Sequence, residues 1–161
     1  MNLTEQEKEL VNITYQNNFR LIRTNYEKEL AQITATYPTN SHGYYIDSLI
    51  HYAQEDVALF IHTYIQVYNK QNKYPDQQTI HEIFDEINIK AKHYVDKFER
   101  GYSSAVSPIP KELLEGIKEE MLNELRQICS EALLPLRQFQ TEKKLENESK
   151  SEIKKTISEG V

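Results

Sequence analysis

The amino-acid sequence predicts an all-α fold, an elongated four-helix bundle with long helices and a polar C-terminal tail. Three observations carry this. Every long segment repeats its apolar residues with a period near that of a helix, no run alternates with the period of two that a strand requires, and turn-forming residues gather at 38–43, 69–76 and 101–110. The 161 residues make one domain's worth of chain. A chain of that size buries roughly 70% of its unfolded surface and needs neither metal nor disulfide for stability, in keeping with a single cysteine, Cys129.

The first helix is expected over 4–36. Thr4 and Glu7 form a capping box, each side chain reaching the other's backbone N–H, which fixes the start. Its apolar residues are Val11, Tyr15, Phe19, Ile22, Tyr26, Leu30, Ile33 and Tyr37, a 4-4-3 spacing that recurs every 11 residues. Such a repeat keeps the stripe almost straight along the helix, where a heptad would wrap. Pro38 ends the helix because its ring clashes with the preceding turn.

A second helix is expected over 44–71, with Leu49, Ala53, Val57, Phe60, Ile61, Tyr64 and Tyr68 within one core-facing arc about 120° wide. A third, over 77–100, opens with a capping box of Thr79 and Glu82 and ends at Gly101. Pro110 suits the first turn of a fourth, since its missing N–H is unpaired there anyway. Pro135 interrupts that helix, yet Leu136 and Phe139 stay in phase, which predicts a kink with continuation to about 141. The bundle domain is therefore 1–141 and the charged tail 142–161. With few apolar residues besides Leu145, Ile153 and Ile157, the tail is read as either disordered or a loosely docked helix.

Composition removes whole classes of function. With four scattered glycines the chain has neither of the glycine-rich loops that cradle nucleotide phosphates. A net charge of -6, with arginine scarce, argues against nucleic-acid binding. No apolar run exceeds the five residues Val57 to Ile61, far below the roughly 20 that span a bilayer, and the acidic start MNLTEQEKE does not read as a secretion signal. A cytoplasmic protein without a membrane role is expected. Richness in Lys, Asn, Ile and Tyr is a compositional association with AT-rich bacterial or phage genes.

Catalytic constellations fail on spacing. No histidine has a glutamate three positions before it, as a di-iron bundle needs, and Asp85 stands where a zinc HExxH motif beginning at His81 needs its second histidine. His51, Glu55 and His62 share the solvent face of the second helix, but three ligands strung along one straight helix do not converge on one metal. Glu119, Glu120 and Glu124 are similar to the magnesium-binding clusters of all-helical nucleotide pyrophosphohydrolases, with the spacing off by one residue. No cofactor is expected. Cys129 reads as a small buried hydrophobe.

One feature resists assignment to the core. Tyr45, Tyr52 and Leu59 recur every seven residues as a second apolar row beside the polar face. They are expected to be partner-binding anchors, buried by a partner or a second copy of the chain; the alternative is the packing of a central helix that touches two neighbours. The expectation is a non-catalytic helical protein-protein interaction module, of adaptor, inhibitor or immunity type, binding another protein or itself. The alternatives are a metal-dependent all-helical hydrolase and a secreted effector, since the Glu/Lys/Ser-rich tail is similar to the translocation tails of some type IV effectors.

Overall fold

Helix α1 (Glu5–Thr36) begins where the capping box places it. The Thr4 amide donates to Glu7 Oε1 at 2.8 Å, and the Glu7 amide donates to Thr4 Oγ1 at 3.2 Å. The computed structural model describes residues 2–36, 42–105 and 110–159, so Tyr37, the turn expected at Pro38 to Ser41 and residues 106–109 lie outside the description. Three more helices follow: α2 (His42–Lys70), α3 (Gln77–Ala105) and α4 (Lys111–Glu159). Among the described residues there is no strand, and no helix is long and apolar enough to cross a membrane.

Two helix ends differ from expectation for local reasons. Asp76, and not Thr79, caps α3: its Oδ1 accepts the Thr79 amide at 2.8 Å, while the Thr79 hydroxyl donates to Asn2 Oδ1 at 3.2 Å. At the other end α3 runs through Gly101 to Ala105, because no described glycine takes the left-handed conformation that a glycine stop requires.

Helix α4 is continuous from Lys111 to Glu159, so the expected division at 141 falls inside a helix. Pro135 removes one backbone hydrogen bond, but Leu133 and Leu136, on either side, are 3% and 0% exposed and press both halves into the core. Past residue 141 the polar segment extends a helix already nucleated, and Lys150 pairs with Glu146 one turn away at 3.0 Å. The Gln140 amide anchors the passage by donating to the Pro75 carbonyl at 2.9 Å.

Helix α2 is the centre of the bundle. It packs on α1, α3 and α4; α3 packs on α4; and among the described residues α1 runs close to α2 alone. The principal core joins Leu49, Val57 and Ile61 of α2 to Ile80, Ile83 and Ile87 of α3 and to Met121, Leu125 and Leu136 of α4. A smaller cluster of Leu3, Val11, Val67 and Tyr68, with Phe139 against it, closes the end where α1 starts. On the α1 stripe Val11, Tyr15 and Tyr26 are buried, whereas Phe19, Ile22, Leu30 and Ile33 are half-buried, as fits a helix laid on one neighbour. Cys129 is 1% exposed and its Sγ contacts the Ile87 carbonyl at 3.4 Å. Burial pushes its thiol up to about 11, away from the thiolate a nucleophile needs.

Candidate functional site

The row Tyr45, Tyr52 and Leu59 faces inward. Tyr52 is 5% exposed and is covered by α1: its ring stacks on Tyr26 at 4.2 Å and on Phe19 at 5.7 Å, and meets Tyr94 of α3 edge-on at 5.2 Å. Tyr45 is half-buried, its hydroxyl 2.5 Å from that of Thr34, and Leu59 packs against the principal core. The expectation that these residues wait for a partner is corrected for Tyr52, because α1 covers the second apolar row of α2 while the first faces α3 and α4. In this arrangement all but a small edge of its ring is covered from within the chain.

Beside that aromatic row lies a polar cluster the sequence reading passed over. Asp56, 3% exposed, accepts hydrogen bonds from the hydroxyls of Tyr15 on α1 and Tyr94 on α3. Lys90 of α3 donates to the Tyr15 hydroxyl at 2.8 Å and sits 3.8 Å from Asp56 Oδ1. The same ammonium lies over the rings of Tyr15 and Phe60, 4.5 Å and 5.0 Å from their centroids. A signal existed: at about 100° per residue Asp56 falls between the tyrosine row and the core arc, no place for an unpaired carboxylate.

Burial holds the phenols of this region in their neutral form. Tyr15 and Tyr94 are shifted upward by loss of water and by the Asp56 carboxylate they bond. Burial carries Tyr26, Tyr52 and Tyr68 up to about 12. Neutral phenol donors on a buried carboxylate form a satisfied network with the Lys90 side chain, 25% exposed, at its edge, an arrangement that fixes the register of three helices.

A pH dependence follows from these shifts. An unfolded phenol titrates at about 10. Raised folded values mean that the stabilisation is fully present below about pH 10 and is lost as pH rises through about 12. Alkaline titration should show phenolate absorbance and loss of far-UV helical signal appearing together; buried tyrosines that ionised at pH 10 without unfolding would contradict the burial.

The remaining candidates stay apart. His51 Nε2 and Glu55 Oε1 are 2.6 Å from one another, and His62 is exposed nearly two turns beyond Glu55. Glu120 and Glu124 are exposed, and Glu119 lines a shallow groove with Lys92, Lys118 and Asp96. Among the described residues no three His, Cys, Asp or Glu side chains gather as a metal-binding set. No protein-family model, no curated protein and no solved structure matches this chain.

Proposed function

We propose that the chain is a non-catalytic helical module that binds another protein or a second copy of itself, an adaptor, inhibitor or immunity-type protein of bacterial or phage type acting in the cytoplasm. The observation that carries the reading is the far end of α4. Past the Gln140 anchor on the α2–α3 connection, this helix presents Leu145, Ile153 and Ile157 to solvent, 60%, 57% and 65% exposed. Leu134, 61% exposed and 11 residues before Leu145, falls within about 20° of it around the helix. Single exposed apolar residues need no explanation, but several of them spaced along one exposed helix are the form in which helical recognition surfaces occur.

Glu146 paired with Lys143 and Lys150 keeps this segment helical and near neutral, while the whole chain carries a net charge of -6. Repulsion between a partner and the acidic body is then least at this end. Its amphipathic row matches the groove-filling mode of helix recognition, in which a few apolar anchors carry most of the affinity.

The test is a full-length variant carrying Leu145→Ser, Ile153→Ser and Ile157→Ser. Exposed positions should leave the melting temperature nearly unchanged, whereas association should weaken by about 1 kcal/mol or more for each anchor. Sedimentation reads self-association, and capture from a lysate of the source cells reads a foreign partner. A variant that associates as well as the parent by both measures removes α4 as the recognition element.

A further inference from the structure

Tyr26 and Tyr52 belong to a short repeat that two antiparallel helices bring face to face. In α1 it reads Asn25-Tyr26-x-x-Glu29, and in α2 His51-Tyr52-x-x-Glu55. At about 100° per residue, the asparagine and glutamate of one copy lie on the same flank of their tyrosine as the histidine and glutamate of the other. Arg23, Glu27 and Asp56 fall on the opposite flank. Stacking of the two rings therefore brings like flanks together. Asn25, Glu29, His51 and Glu55, with Ser48 and the two tyrosines, line one small cavity of about 60 Å³.

Ser48 gives this cavity a second, independent mark. The residue is 3% exposed, and its Oγ is the one buried side-chain polar atom without a hydrogen-bond partner among the described residues. Other helical hydroxyls in the chain, those of Thr24, Thr63 and Ser130, donate to the carbonyl four residues back. The Ser48 hydroxyl does not, and a buried hydroxyl left unpaired is a cost that a ligand relieves.

The lining chooses the ligand. Its lining side chains carry two carboxylates, an amide, the Ser48 hydroxyl and two phenols, and its one basic side chain, His51, is already turned onto Glu55 at 2.6 Å. That is a site for positive charge. A divalent metal needs several strong ligands converging on one point, and no such set forms here. An ammonium asks less: three N–H donors satisfied by separate acceptors, with a methylene stem lying against aromatic carbon. We propose that this crevice between α1 and α2 binds the primary ammonium group of an alkylamine, supplied by a free small amine or by the lysine side chain of a partner.

The experiment is an amide chemical-shift titration of the full-length, isotope-labelled chain with butane-1,4-diamine, with Nα-acetyl-lysine methylamide, and with sodium and magnesium chloride at matched ionic strength. Saturable shifts centred on Tyr26, Ser48 and His51 are expected with an amine, and the tighter of the two amines identifies the source. Binding should weaken by about tenfold or more in Ser48→Ala and in Glu29→Gln, a factor of ten corresponding to about 1.4 kcal/mol. Glu29 is exposed, so that variant folds as the parent does. The proposal is overturned by the absence of saturable shifts beyond the sodium control, by equal shifts with magnesium, or by binding unchanged in both variants.

Discussion

Replacing Asp56 with alanine should cost about 3–5 kcal/mol of folding stability, because it leaves the Tyr15 and Tyr94 hydroxyls without their acceptor and Lys90 without its neighbouring charge. The cost is that of orphaning buried groups, not the net worth of the cluster. Tyr15→Phe and Tyr94→Phe, which each remove one donor and leave the carboxylate partly satisfied, should cost about 1–3 kcal/mol apiece. Their effects should not add, since both act on one carboxylate. Urea unfolding of the set checks this; an Asp56→Ala cost below about 1 kcal/mol would show that water takes the place of the carboxylate and that the cluster does not hold α1 in place.

The Tyr52→Ala, Leu59→Ala pair is expected to lower stability severely. Tyr52 alone should cost about 3–5 kcal/mol, as a fully packed ring does when truncated, and Leu59 somewhat less because it is half-buried. Loss of Tyr52 strips contacts from Phe19, Tyr26 and Tyr94 together, so α1 should loosen first. Hydrogen exchange would register this as early loss of protection across α1 with α2, α3 and α4 retained. A double variant that folds with parental stability but loses a binding partner would restore the row as an interface.

The difference between those outcomes marks how far the sequence could be read. Period 3.6, the Thr4–Glu7 box and the clustered turn residues determined four helices and the face each turns inward, because capping and amphipathicity are local and depend on neighbours within a turn or two. They also determined that Cys129 is a packing residue. The fate of Tyr45, Tyr52 and Leu59 was not local. Two apolar rows on one helix are compatible with two internal neighbours or with one neighbour and a partner, and only the placement of α1 along α2 decided between them for Tyr52.

The same limit applies to the polar residues. Asp56, Tyr15, Lys90 and Tyr94 lie on three helices, 34 to 79 positions apart except for the adjacent turn that holds Lys90 and Tyr94, and no spacing rule links them. The cavity at Ser48 likewise needs the exact register of α1 on α2, although its two Tyr-x-x-Glu copies stand in the sequence. Residues 142–159 show a third case: their composition leaves disorder and helix close in free energy, and the helix forms because α4 is already nucleated and anchored by Gln140 on Pro75. Sequence determined that there are four helices and the principal face each of them buries. Tertiary structure decided which helix is central, which polar groups meet and which apolar row remains in water, because those depend on contacts between distant segments that no local free energy specifies.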